Sequence, residues 1–246
     1  MQNAPDGKLF QCHDGVTKLS ACSLRVNCSD WNFAKSNAAA IDEYWLQMQR
    51  SNPAYFNGVI HLVDAVTIGG GALEASLLRT DFKSYLYWRA QGFPPAGVLD
   101  GFGSALIRSN DGHIILGRQR SGNVNGGLAY CPAGFIDAQD VDADGLIHID
   151  QSAIREAVEE TGIEPTSLVR QEGFYLTRSG TQLSFAAPFR ATISTKEFVL
   201  RAESHIAASD HAELDGVIPV IGPRDVEGLP MPPYMRTLLD ALFAEG

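Results

Sequence analysis

The chain has 246 residues, with 19 Lys and Arg against 29 Asp and Glu, a formal net charge of −10. At 45% hydrophobic and 20% charged residues its composition is that of an ordinary globular protein, which excludes global disorder. The acidic balance disfavours non-specific binding to nucleic acid or anionic membrane, and no apolar run is long enough to span a bilayer. The opening MQNAPDGKLFQCHDG has no cationic stretch followed by an apolar one, so no export signal is expected. Cys12, Cys22, Cys28 and Cys131 lack the paired CxxC spacing of a zinc site, and reduced thiols in the cytoplasm are the expectation. Within residues 1–35, LFQCHDG and SLRVNCSDW are candidates for short strands. Cys12, His13 and Asp14 are assigned a structural or surface role in preference to a metal site. A helix follows from Ser36, with Ile41, Tyr44, Trp45 and Met48 at helical spacing, Ser36 or Asn37 as its cap, and Asn52-Pro53 as its stop. NGVIHLVDAVTI and ALEASLLRT read as a hairpin around Gly69-Gly70-Gly71. Thr80 caps a second predicted helix, DFKSYLYWRAQ, and Pro94-Pro95 marks a linker near residue 95. Residues 1–95 therefore read as a small α+β extension packed on the core formed by the rest of the chain.

The remainder, 96–246, is richer in strands. FGSALIRS and HIILGRQR flank Asn110-Asp111-Gly112, a hairpin signal. A Gly/Asn-rich loop, SGNVNGG, leads into AYCPAGFI, and a helix over SAIREAVEET is closed by Gly162. GFYLTRS and SFAAPFRATIS form another strand pair, and GVIPVI is a last strand. A terminal helix begins at the prolines of MPPYMRTLLDALFAEG, with Leu238, Leu239, Leu242 and Phe243 on one side. There is no internal repeat. Mixed strands with few helices predict an α+β or α/β sandwich in which helices cover a sheet.

The chemistry concentrates in one helix. Glu156, Glu159 and Glu160 stand at i, i+3 and i+4, on one face. Like charges at that spacing cost about 0.2–0.5 kcal/mol per exposed pair, and more when dry. A hard divalent cation such as Mg²⁺ relieves the repulsion and binds phosphate oxygens at the same time. Arg155, four residues before Glu159, is placed to hold that carboxylate. A generic E-x-x-E-E helix is more often a solvated acidic face.

The fuller pattern is more specific. Gly134, Arg155, Glu156, Glu159, Glu160 and Gly162 resemble the Nudix signature, a glycine followed by R-E-apolar-x-E-E-x-G-apolar. The five residues from Arg155 to Gly162 arise by chance about once in 10⁶ windows at average usage. The preceding hairpin and the Pro132-Ala133-Gly134 approach fit the same family. The resemblance implies an α/β fold, a Nudix-like α/β/α sandwich with a mixed sheet, and hydrolysis of a nucleoside diphosphate linked to another moiety with Mg²⁺ or Mn²⁺. Carried over by position, it implies metal ligation by Glu156 and Glu160. Glu159 becomes a further ligand or the base that activates water, and the Ala133 carbonyl a backbone ligand. Glu213, in HAELDG, resembles an acid that many members add to the metal cluster; the alternative is a loop carboxylate.

Two departures stand out. Arg155 follows Gly134 by twenty-one positions, an insertion of seven relative to the family pattern. The glutamate expected in that loop has no clear counterpart, and Asp137, Asp140 and Asp150 are candidates for its arginine-anchoring job. The insertion also carries Asp140, Asp142 and Asp144 before Gly145, the first half of an EF-hand loop. A Ca²⁺ site there competes with a solvated polar turn, because position 12 is Gln151 and no flanking helix pair is evident.

The first 95 residues resemble the N-terminal piece of UDP-sugar pyrophosphatase-like Nudix proteins, through Trp45, Asn52-Pro53-Ala54-Tyr55-Phe56-Asn57-Gly58 and Thr80-Asp81-Phe82-Lys83-Ser84-Tyr85. This implies UDP-glucose or UDP-galactose as substrate, with UMP and a sugar 1-phosphate as products. Arg118 and Arg120, at i and i+2 on a strand, are either a phosphate clamp or solvent-facing cations. Lys83 and Tyr85 are candidates for the uridine side. Phe174 and Tyr175 read as core or sheet residues. Two other readings stay open: a Nudix-fold module that senses a nucleotide ligand without turnover, and a hydrolase of ADP-ribose, a dinucleotide, coenzyme A or a damaged nucleoside triphosphate. No G-x-S-x-G elbow is present, and GGGALEAS lacks dinucleotide-fingerprint spacing. A small nucleotide-diphosphate substrate is the expected partner, with no nucleic acid and no membrane; the oligomeric state is not read from sequence.

Overall fold

The computed structural model describes residues 2–3 and 9–245; the opening stretch read for an export signal lies partly outside them. In chain order the strands are β1 (Gln2–Asn3), β2 (Leu9–Phe10), β3 (Gly15–Leu19), β4 (Ala21–Asn27), β5 (Val59–Gly69), β6 (Ala72–Asp81), β7 (Asp100–Arg108) and β8 (Ile114–Gln119). They continue with β9 (Ala129–Tyr130), β10 (Ala133–Phe135), β11 (Leu146–Ile147), β12 (Leu168–Arg170), β13 (Phe174–Ser179), β14 (Gln182–Ala191) and β15 (Leu214–Val220). The helices are α1 (Asn32–Ser36), α2 (Ala38–Ser51), α3 (Phe82–Ala90), α4 (Ile149–Thr161), α5 (Thr195–Ala208) and α6 (Pro233–Ala244). The fold is mixed α/β, as expected.

The chain forms two compact units that interleave along the sequence. One takes the chain up to His13, Cys22–Gly101 and Phe135–His148; the other takes Asp14–Ala21, Phe102–Gly134 and Ile149–Gly246. The predicted boundary was a single point near residue 95. The interleaving follows from non-local strand pairing: β3 joins β13, and β11, inside the insertion, joins β4.

The first unit holds a sheet in the order β1-β2-β5-β6-β4-β11. Its centre is the predicted hairpin β5–β6, turning through Gly70 and Gly71 at positive φ. The cap of α3 is Asp81 and not Thr80: its side chain accepts the Ser84 N–H. Asn37 stands at the N-cap position of α2 as expected, but its side chain makes no capping bond there; its amide donates to the Phe33 carbonyl.

The second unit holds the sheet β15-β8-β7-β14-β13-β3. Alternation along β7 and β8 feeds two cores. Leu106, Ile114 and Leu116 pack with Tyr234, Met235, Leu238 and Leu239 of α6. Ala105, Ile107 and Ile115 pack with Ala153 and Ala157 of α4 and with Phe198 and Ala202 of α5. This is a three-layer arrangement with helices on both faces. Helix α5 escaped the sequence reading, although its signal was present: Ser194 and Glu197 at cap and third position, then Phe198, Ala202 and Ile206 on one face.

Small residues let α4 lie close to the sheet. Ala153 and Ala157 face it, and at Gly103 of β7 an added Cβ would stand 3.1 Å from Ile149 and 3.2 Å from Ser152. The helix ends at Gly162, at φ +66°, where a Cβ would collide with His205 of α5. The imidazole of His205 lies 3.0 Å from the Glu159 carbonyl, so α5 closes the C-terminal end of α4. Gly162→Ala therefore meets both left-handed strain and a steric clash. It is expected to lower unfolding stability by about 2 kcal/mol in urea titration.

Candidate active site

Helix α4 turns Ile149, Ser152, Ala153, Ala157, Glu160 and Thr161 inward. Glu160 is the exception in this set, a carboxylate only 4% exposed. Burial, with the charges of Glu213 and Glu156, raises its pKa well above the ordinary value; the Gln119 amide and the Ala133 backbone N–H oppose that shift. Glu160 Oε1 accepts from Gln119 Nε2 at 3.1 Å, while Oε2 is buried without a hydrogen-bond partner.

Arg155 holds the other two carboxylates. Its Nη1 lies 2.8 Å from Glu156 Oε1 and 3.2 Å from Glu159 Oε2. The Glu159 bond was expected and the Glu156 bond was not. Gly134 explains the position of Glu156: a Cβ there would coincide with the Glu156 carboxylate, so only glycine leaves room. Glu213, just before β15, has its pKa raised by burial and by the charge of Glu159. Four acids from two distant stretches therefore share one electrostatic neighbourhood.

The two arginines are engaged differently from the carboxylates. Arg118 pairs with Asp215, and Arg120 Nη1 donates to the Asp210 carbonyl at 3.2 Å. Both line a cleft of about 630 Å³ together with Glu203, Ser209 and Gly216. Gln119, between them, is the residue that reaches Glu160. Neither Gln119 nor Asn123 was singled out from sequence. The available signal was strand alternation, which sends position 119 to the opposite face from 118 and 120.

A model of the NUDIX domain matches residues 100–237, more than half of the chain. The chain belongs to the Nudix family. It is accordingly a Nudix pyrophosphohydrolase. Among solved structures it is similar to the Nudix hydrolase RenU from M. smegmatis, at 18% identity over 58% of this chain and 82% of that one, with a TM-score of 0.41. It is similar to the MutT protein of Methanosarcina mazei Go1, at 20% identity over 59% and 93%, with a TM-score of 0.40. A third is a bifunctional NMN adenylyltransferase/ADP ribose pyrophosphatase from Francisella tularensis, complexed with AMP and a manganese ion. That match has 16% identity over 65% of this chain and 46% of that one, with a TM-score of 0.43. No curated protein matches the chain.

Nudix hydrolases generally use divalent metals and act on small nucleotide-linked substrates. The residues here fit a hard cation chemically. Glu160 presents a buried oxygen with no partner, Gly134 makes room for the Glu156 carboxylate, and the donors are all oxygen. As placed, no three His, Cys, Asp or Glu side chains among the described residues converge into a ligand set, because Arg155 and Gln119 hold the carboxylates.

The insertion does not gather its aspartates. Asp142 Oδ1 accepts the N–H groups of Asp144 and Leu146, and its Oδ2 lies 3.0 Å from His148 Nε2. Asp140 accepts the Asp137 N–H, and Asp137 the Gln139 N–H, as caps of a short 3-10 turn. Asp144 contributes its carbonyl, to Arg25. These side-chain oxygens accept from turn backbone, as in the solvated polar turn that the sequence left open beside a Ca²⁺ site. Of the loop candidates for anchoring Arg155, Asp150 accepts the Gln151 N–H; Glu156 and Glu159 hold the arginine.

The uridine-side candidates lie in the first unit. Tyr85 is 2% exposed, packs edge-on to Phe135 and donates to Asp100, so it offers no surface to a ligand. Lys83 is paired with Asp42. The cysteines form no disulfide among the described residues, and Asp14 accepts the Gly180 N–H beside Arg178.

The raised pKa of Glu160 has a signed consequence. The folded protein holds a proton that the unfolded chain releases near 4.5. Without metal, stability therefore falls as pH rises from about 4.5 toward the raised value. Metal binding displaces that proton, so added Mg²⁺ is expected to raise the thermal midpoint more at pH 8 than at pH 5, measured by calorimetry. Gly134→Ala, which pushes Glu156 aside, is expected to lower kcat/KM roughly 10²-fold with little loss of secondary structure by circular dichroism.

Proposed function

We propose that the protein is a divalent-metal-dependent hydrolase that cleaves the pyrophosphate of a nucleoside diphosphate linked to another moiety, with a UDP-sugar as substrate. The observation that carries the hydrolytic reading is Glu160, buried with one oxygen tied to Gln119 and the other unpartnered, beside the charges of Glu156 and Glu213.

Glu156 and Glu160 would hold Mg²⁺ or Mn²⁺, with the Ala133 carbonyl and Glu213 as further oxygen donors. The bound ion would neutralise charge on the diphosphate and make a water molecule a better nucleophile. Glu159, the more exposed of the two carboxylates that Arg155 holds, is the group assigned to take the proton from the attacking water. Arg155 keeps Glu156 and Glu159 in place, and burial of Glu160 keeps its carboxylate away from bulk water. Arg118 and Arg120 line a cleft on the other face of the strand end from Gln119, engaged with Asp215 and the Asp210 carbonyl, so the phosphate-clamp reading is not carried to them.

What supports a UDP-sugar is the likeness of the segments around Trp45, Asn52–Gly58 and Thr80–Tyr85 to the UDP-sugar pyrophosphatase-like proteins. In the first unit Trp45 and Tyr55 both pack edge-on against Phe82, and Asn57 accepts the Lys83 N–H, so these segments form one packed cluster.

The test is release of UMP and sugar 1-phosphate from UDP-glucose or UDP-galactose with Mg²⁺. Glu160→Gln is expected to reduce it by at least about 10²-fold. In a parallel panel of ADP-ribose, dinucleotides, coenzyme A and damaged nucleoside triphosphates, a preferred turnover of one of these replaces the UDP-sugar. Thermal stabilisation by UDP-sugars with no turnover under any divalent metal replaces the enzyme reading with that of a sensor module.

A further inference from the structure

Glu160 is held by a short relay of side-chain amides. Gln119, at the end of β8, is 4% exposed and donates from Nε2 to Glu160 Oε1 at 3.1 Å. An amide can be turned either way, and only one way offers a donor to a carboxylate. Asn123 decides it. Asn123 Nδ2 donates to Gln119 Oε1 at 3.1 Å, so the carbonyl side of Gln119 is taken and its NH₂ must face Glu160. The same Nδ2 donates to the Glu213 carbonyl at 3.0 Å, which fixes the orientation of Asn123 in turn.

The backbone braces this relay. Gln119 N–H donates to the Leu128 carbonyl, and its own carbonyl accepts the Gly127 N–H at 2.8 Å. Asn123 N–H donates to the Arg120 carbonyl, and its carbonyl accepts the Gly126 N–H. The glycine-rich loop thus folds back onto the strand end on both sides of Gln119. Arg120 N–H also donates to the Glu213 carbonyl, so the loop ties the segment carrying Glu213 to the segment holding Glu160.

A structural role alone does not account for the pattern. A buried carboxylate with one oxygen bonded and the other unpartnered is costly, and an apolar pair at positions 119 and 160 would pack without that cost. Tying Oε1 does, however, fix the direction of Oε2. We infer that Gln119 and Asn123 are positioning residues that aim Glu160 Oε2 at a divalent cation, Asn123 acting through Gln119. This inference rests on the metal-dependent reading above.

The test uses Mn²⁺ alone, titrated by calorimetry into the full chain, with unfolding in chelator as a control for folding. Gln119→Met keeps the size of the side chain and removes the donor. Asn123→Asp, at an exposed loop position, removes the donor to Gln119 and turns its amide around. Each is expected to weaken Mn²⁺ binding by about tenfold, as loss of an outer-shell partner does, with cooperative unfolding retained in chelator. In the double variant the loss should not exceed that of Gln119→Met, because Asn123 works through residue 119. Undiminished Mn²⁺ binding in both single variants, while the unaltered protein binds, overturns this inference alone. Losses that add in the double variant overturn the relay. Absence of Mn²⁺ binding by the unaltered protein overturns both the inference and the metal-dependent reading.

Discussion

Charges of one sign have to be kept close together in a partly dry place, and most of what the second unit does can be traced to that demand. Glu156, Glu159 and Glu160 share a helical face, and Glu213 adds its charge from another part of the chain. Arg155 offsets two of these carboxylates, and the Gln119 amide and the Ala133 N–H favour the charged form of a third. Burial first, and then the repulsion that those contacts lessen without removing, makes Glu160 and Glu213 hold their protons more tightly than free carboxylates do. The remaining electrostatic tension is the property that a hard cation and a diphosphate would exploit.

Close approach makes the neighbourhood possible. Alanines at 153 and 157 and glycine at 103 let α4 sit against the sheet, and glycine at 134 leaves the Glu156 carboxylate its space. At the far end Gly162 lets the chain turn under His205, so α5 acts as a stop for the helix. The helix is therefore fixed by packing at both ends and along one side. Its acids inherit that fixity, whereas an isolated helix of this length would be marginal in water.

The first unit shows how residues that look functional can be structural. Tyr85 belongs to an aromatic cluster with Phe82, Trp88, Phe93 and Phe135, and its hydroxyl is satisfied by Asp100. The aspartates of the insertion behave as Asp commonly does in turns, accepting nearby backbone N–H groups. Alternating aspartates followed by glycine suit a calcium loop and a tight turn equally well. Here Gly145 makes the sharp bend at φ +75°, and β11 beyond it pairs with β4.

Local rules fixed much of this protein from its sequence. The hairpin β5–β6 over its glycines, the α4 helix with its three acids and closing glycine, and the apolar stripe of α6 all follow from short-range periodicity and turn chemistry. The signature from Arg155 to Gly162 pointed to the family because its residues are neighbours on one helix. Contacts that skip along the chain were not legible. Alternation alone does not reveal that Gln119 reaches Glu160 forty-one residues on, that β3 and β13 pair, or that the two compact units interleave. Such pairings depend on which surfaces meet once the sheet has formed. Side-chain period and turn preference carry no information about partners that distant, so tertiary packing alone decided them.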